Sequence, residues 1–260
     1  LVAKVSFTGS TEVGRQVAQT AAGRLARFSL ELGGKSPVVV FDDVDVTAAA
    51  ADVARGIFYN QGQICAAGSR LYVHRRRFDE MADRVGALAA GMTIGSGFDG
   101  ASQLGPLVSQ AQRDRVLGYI AGGRAAGACT IAGGGAPERD GYFVEPTVFT
   151  DVSAEMAIVQ EEIFGPVLVV VPFDEEDEVL AAVNGTAYGL SASIYSQDLS
   201  RVHRLIPQIK AGTVFVNAPV RTDPNLPFGG VKASGLGREH GSSMIDLYTE
   251  LKSVVIGYRA

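Results

Sequence analysis

Apolar positions along the chain follow two alternating rhythms. Short, nearly continuous apolar runs read as strands: Val2–Thr8, Arg27–Leu32, Pro37–Phe41, Ser69–Val73, Thr147–Asp151, Val167–Pro172, Leu190–Tyr195 and Thr213–Asn217. Between them lie stretches whose apolar residues recur every three or four positions. These predict helices over Glu12–Ala22, Asp45–Tyr59, Arg76–Gly91, Ser109–Gly122 and Asp198–Lys210, with one more opening at the acidic run Asp174–Glu178. Asp42, Asp43 and Asp45 stand where a helix N-terminus favours acids, and Pro207 should kink or shorten the helix that contains it. Strands that are apolar throughout, rather than on alternate residues, are buried on both faces. With helices between them they predict an α/β fold around a largely parallel sheet. The last stretch, Tyr248–Tyr258, alternates like a strand.

Composition narrows the picture. The 260 residues carry a net charge of −5, which leaves no basic face for nucleic acid. No apolar run approaches the ~18 residues of a membrane span. Cys65 and Cys129 are too few for a disulfide scaffold and fit a reducing cytoplasm. His74, His203 and His240 are scattered, with no metal-ligand spacing, so no metal is expected. The 32 glycines show no collagen period and predict tight turns and close backbone approaches. The chain opens inside an apolar run at Leu1, with neither an initiator Met nor a leader, and we expect a piece of something longer.

Chemistry concentrates in a few segments. In Asn60-Gln61-Gly62-Gln63-Ile64-Cys65-Ala66-Ala67-Gly68, a thiol lies among small residues between a helix and a strand, approachable by substrate and by a bulky cofactor. A free thiol is mostly protonated at neutral pH, so a nucleophilic Cys65 needs assistance; a buried structural thiol is the competing reading. Cys129 reads as a buried structural thiol. Glu31 is a carboxylate at the end of an apolar strand, where desolvation raises its pKa toward that of a general base; an ion pair with Lys35 accounts for the segment as well. Phe7-Thr8-Gly9-Ser10-Thr11-Glu12-Val13-Gly14 is a strand, a turn and a helix start, able to offer backbone N–H groups to a diphosphate or to be a plain capped turn. Glu161-Glu162-Ile163-Phe164-Gly165-Pro166 and Pro227-Phe228-Gly229-Gly230 complete the set.

Together these segments resemble, in order and across essentially the whole chain, the aldehyde dehydrogenase superfamily. The resemblance implies a three-layer α/β sandwich with a mostly parallel catalytic sheet and most of an N-terminal Rossmann-like portion missing. It implies three parts: residues 1–30 as the last strand–helix of a dinucleotide-binding domain, 31–234 as the catalytic domain, and 235–260 as a return segment and oligomerisation arm. It implies Cys65 as nucleophile and Glu31 as general base. NAD or NADP would be held by Gly9, Ser10, Val13, Gly14, Leu32, Gly33, Gln112, Glu162 and Phe164, with Glu162 on a ribose and Phe164 behind the nicotinamide. Glu239 would support the base.

The implied reaction is oxidation of an aldehyde to its acid through a thiohemiacetal and a thioester on Cys65, in a cytoplasmic homodimer or homotetramer. Family members are about twice as long, and their oxyanion-hole Asn and adenosine-gripping Lys have no counterpart here, so this chain alone is expected to hold the cofactor poorly. The expected substrate-facing residues are Arg221, Thr222 and Phe228. Arg221 suggests a polar or carboxylate-bearing aldehyde, and an Arg221–Asp223 surface pair explains the same residue. A cofactor-independent thiol esterase built on Cys65 and Glu31, and a catalytically incomplete fragment, are the alternatives.

Overall fold

The computed structural model describes residues 2–258; Leu1, Arg259 and Ala260, at the outer ends of the first and last expected segments, lie outside the described residues. The chain opens with strand β1 (Lys4–Thr8), helix α1 (Thr11–Ala22) and strand β2 (Arg27–Glu31), β1 and β2 pairing in parallel. A short late strand, β12 (Gly235–Leu236), pairs antiparallel with the other edge of β2 to complete a three-stranded sheet.

From Glu31 the chain crosses through Leu32–Ser36 into the main sheet. Its strands are β3 (Pro37–Val40), β4 (Arg70–His74), β5 (Cys129–Ala132), β6 (Thr147–Thr150), β7 (Val167–Phe173), β9 (Ser191–Tyr195) and β10 (Thr213–Val216). They lie in the order β10-β9-β3-β4-β7-β6-β5, and all pairs are parallel except β5–β6. The pair β8 (Tyr188–Gly189) and β11 (Val231–Lys232) forms a small separate ribbon.

Strand side chains alternate between two apolar cores. Val38, Val40, Leu71, Val73, Leu168 and Val170 pack under α2 (Val46–Phe58) and α3 (Phe78–Ala90). On the opposite face, Val39, Phe41 and Ile194 meet α6 (Glu176–Asn184) and α7 (Leu199–Leu205). Phe149, Val167 and Val169 meet α4 (Gln110–Ala125) and α5 (Ala157–Gln160). The result is the expected helix–sheet–helix sandwich. Runs apolar throughout belong to strands covered on both sides.

Pro207 acts as expected: α7 stops at Leu205 and one tighter turn follows over Ile206–Gln208. Two expectations are corrected. Tyr248 closes a short helix, α8 (Ser243–Tyr248), and 249–258 has no strand; Leu251, Val254, Val255, Ile256 and Tyr258 are exposed. Alternation alone makes no strand where no neighbouring edge supplies hydrogen bonds. Cys129 is exposed rather than buried, because β5 is the outermost strand of the main sheet.

Candidate active site

The site lies where the small sheet hands the chain to the large one. Thr8 and Glu31 end β1 and β2, side by side in register, and the Gly9 N–H donates to the Glu31 carbonyl at 3.1 Å. Ser10 caps α1, its hydroxyl accepting from the Val13 N–H at 3.3 Å, so the first turn of α1 opens beside Glu31.

Glu31 is 8% exposed, and its Oε2 has no hydrogen-bond partner. Burial above all, and the charge of Glu239 next, push its carboxyl up to about 7, against the pull of Arg238. Lys35 does not answer it. The Lys35 ammonium is 2% exposed, and its Nζ also lacks a partner. Burial first, then the neighbouring Arg70, bring it down to about 7. Arg70 gives its own guanidinium to neutral acceptors: the carbonyls of Lys35, Ala182 and Val183 and the Tyr72 hydroxyl.

Cys65 sits on a strained approach. After α2 ends at Phe58, Asn60 and Gln61 take left-handed φ of 51° and 56°, and Gly62 follows at 68°. A Cβ on Gly62 would run into the Gly165 carbonyl, and one on Gly34 into the Cys65 carbonyl. These contacts explain why glycine stands in three motifs at once: the base strand, the thiol loop and the Glu162–Pro166 segment meet backbone to backbone. Gln63 secures the loop by accepting from the Val108 N–H at 2.9 Å. The Cys65 thiol is half-buried, and burial raises its pKa, with the Glu162 charge adding and the Ala66 N–H opposing. It therefore rests protonated.

Glu162 accepts from the Gly34 N–H at 3.0 Å, and burial holds its carboxyl above the usual range despite that bond and Lys35. Arg115 donates to its carbonyl at 2.8 Å. Gln112 spends its amide on the carbonyls of Ile163 (3.0 Å) and Phe164 (2.9 Å), so it braces this segment; Phe164 itself sits at a left-handed φ of 59°.

Two cavities meet at Cys65. The first, about 720 Å³, brings together Gly9, Ser10, Leu32, Gly33, Gln112, Glu162 and Phe164 from the expected cofactor set, with the expected base Glu31 beside them. Val13 and Gly14 stand outside this wall. Val13 is exposed, and Gly14 lies one turn into α1 with its face against the Leu32 side chain. The second cavity, about 620 Å³, brings Arg221, Thr222 and Phe228 to the other side of Cys65. Phe228 is fixed by paired backbone bonds with Glu239, each 2.7 Å, which also bring Glu239 toward Glu31. No ion pair joins Arg221 to Asp223 among the described residues; Asp223 accepts instead from Asn225. Arg115 and Tyr188 on the first cavity and Arg55, Tyr59 and Ile64 on the second were not among the expected site residues. Arg55 and Tyr59, four apart where α2 ends beside the thiol loop, share one helix face by their spacing, a signal the sequence does carry.

The sequence model of the aldehyde dehydrogenase family matches residues 1–254. The chain belongs to the aldehyde dehydrogenase family.

Among the curated relatives of this aldehyde dehydrogenase chain, betaine aldehyde dehydrogenase of Rhizobium leguminosarum is 47% identical over 259 residues, covering 98% of this chain and 53% of the relative. The NAD+ complex of aldehyde dehydrogenase from Bacillus cereus superposes with a TM-score of 0.97 at 45% identity, over 99% of this chain and 52% of that one. An indole-3-acetaldehyde dehydrogenase of P. syringae, in complex with NAD+, gives 0.95 at 42% identity, over 97% and 52%. The chain thus spans about half the length of the relatives it matches. Among the described residues no three His, Cys, Asp or Glu side chains cluster as metal ligands. No helix there is long and apolar enough to cross a membrane.

Proposed function

We propose that this chain is the catalytic part of an enzyme of its relatives' length that oxidises an aldehyde to a carboxylic acid with NAD or NADP, in a cytoplasmic homodimer or homotetramer. The observation that carries the reading is Cys65 in the shared wall of two cavities, one large enough for a nicotinamide dinucleotide's reactive end and the other for a small substrate.

The residues present fit the cofactor. A Cβ at Gly33 would strike the Glu162 carboxylate, so the floor of the first cavity stays open only because the residue is glycine. Glu162 would take a ribose, Phe164 would back the nicotinamide, and the backbone at Gly9–Ser10 would face the diphosphate. When bound, the nicotinamide accepts the hydride that leaves the aldehyde carbon.

The chain's own residues do the rest. The Cys65 thiol gives up its proton to solvent water and its sulfur, as thiolate, adds to the aldehyde carbon, and the Cys65 backbone N–H steadies the resulting oxyanion. Once oxidation has left a thioester, Glu31 takes a proton from water, and the water oxygen displaces the Cys65 sulfur to release the acid. A carboxyl poised near 7 suits that step, being half-ionised at neutral pH. Glu239, charged and close to Glu31, helps to hold it there.

The test is aldehyde-dependent reduction of NAD or NADP by the whole protein. Cys65→Ala is expected to lower turnover at least ~1,000-fold, the scale on which nucleophile removal acts. Retained turnover in that variant, or ester cleavage without any nucleotide-dependent oxidation, overturns the reading.

A further inference from the structure

The curated relatives matched at 46–48% identity are betaine aldehyde dehydrogenases, whose named substrate carries a fixed positive charge, yet the second cavity here bears charge of the same sign. Its wall includes Cys65, Ile64, Tyr59 and Phe228 together with Arg55 and Arg221. Among the described residues these two arginines are the only charged ones that line it, and no Asp or Glu does. Both are exposed, and neither makes an ion pair or a side-chain hydrogen bond among the described residues. The nearest acid in sequence, Asp223, is taken up by the Asn225 backbone and side-chain amides at 2.9 and 3.1 Å.

We infer that the aldehyde oxidised here carries an anionic group, a carboxylate first of all, at the end remote from its carbonyl, and that Arg55 and Arg221 are the residues that read it. The inference rests on Cys65 being the nucleophile. A guanidinium offers a planar fork of donors matched to a carboxylate, and two free forks facing one cavity leave that demand unmet within the chain. A trimethylammonium group would meet like charge, and among the described residues Tyr59 and Phe228 are the only aromatic residues in the wall. The cavity has room for a linear substrate: a Cβ on Gly56, in its wall, would meet nothing within 4 Å.

The test uses two reagents of the same shape and different charge. Iodoacetate and iodoacetamide both transfer a substituted methyl group to the Cys65 sulfur and release iodide, and only iodoacetate carries a carboxylate. Their rates are measured on the whole protein by peptide mass spectrometry, with exposed Cys129 as the internal reference. The ratio of the two rates cancels any change in thiol ionisation. In the Arg55→Ala, Arg221→Ala double variant the iodoacetate-to-iodoacetamide ratio at Cys65 is expected to fall about fivefold, less at high salt, and to stay constant at Cys129. An unchanged ratio at Cys65 overturns the inference.

Turnover gives the second arm: 4-oxobutanoate should exceed butanal in kcat/KM by about tenfold or more, a typical worth of one charged contact, and betaine aldehyde should be the poorest of the three. Betaine aldehyde as the best substrate overturns the inference. If no aldehyde is oxidised at all, the dehydrogenase reading fails, while the alkylation ratio still decides whether the cavity prefers anions.

Discussion

The two cavities that share Cys65 are built on different principles. The first is a backbone construction: Gly34 presses on the Cys65 carbonyl, Gly62 on that of Gly165, and the Gly34 N–H reaches the Glu162 carboxylate. Glu31 apart, its polar side chains include braced ones, Gln112 against the Ile163 and Phe164 carbonyls and Ser10 against the Val13 N–H. The second is faced by side chains on the end of α2 and on a loop without regular structure, 217–227, and its two charged residues are unbraced. Close backbone approach tolerates few residue types, whereas a loop of free side chains can change its charge without disturbing the frame. One side therefore reads as the chemistry common to a family, the other as the part that varies with substrate. Relatives of similar identity named for betaine aldehyde and for indole-3-acetaldehyde fit that division.

A pair of glycine substitutions breaks or sharpens the contrast. Gly34→Ala drives a methyl group into the Cys65 carbonyl, with Leu190 behind it. It should destabilise the fold by about 1–3 kcal/mol, as overpacking does, and displace the thiol. Gly56→Ala, inside α2 and facing open space, should instead stabilise by roughly 0.5–1 kcal/mol through helix propensity. Chemical denaturation reports both, and equal effects at the two positions would dissolve the distinction.

A smaller, pH-dependent effect tests the electrostatics of the first cavity. Glu31 holds its proton up to about 7 in the fold, against 4.5 when unperturbed. Between those values the folded chain binds more protons than the unfolded one, so stability falls as pH rises through this window and stays lower above it. Glu31→Gln cannot ionise. Its Tm should match that of the native chain near pH 4 and exceed it increasingly up to neutrality, by no more than about 3 kcal/mol of stability. A Tm difference independent of pH would show that burial does not hold this carboxyl up.

Much of the frame was legible in the chain. Of the strands at the centre of the main sheet, β3 and β7 are apolar throughout and β4 is apolar between Arg70 and His74 at its ends, as a two-sided core demands. Cys129–Ala132 was not legible, because an edge strand with three of its four residues partly or fully exposed carries no apolar run. Glu31, Cys65 and Glu162 were found through the glycines that surround them. Their assembly was not: the thiol loop and the Glu162 segment lie before the N-terminal ends of β4 and β7, whereas Glu31 ends β2. The rule that sites gather at C-terminal strand ends therefore fits only the small sheet. Whether Arg221 pairs with Asp223 depended on a turn in which Asn225 outcompetes it, a matter of local geometry that spacing does not encode.

The central claim, a nucleophilic Cys65 relieved by Glu31, is tested most directly by stopping the reaction between them. Glu31→Gln, mixed with aldehyde and NAD in the whole protein and quenched in acid, should retain the acyl group as a thioester on the peptide that carries Cys65, and only when the nucleotide is present. A thioester on Cys129, a thioester formed without nucleotide, or a variant that releases acid as fast as the native protein would contradict it.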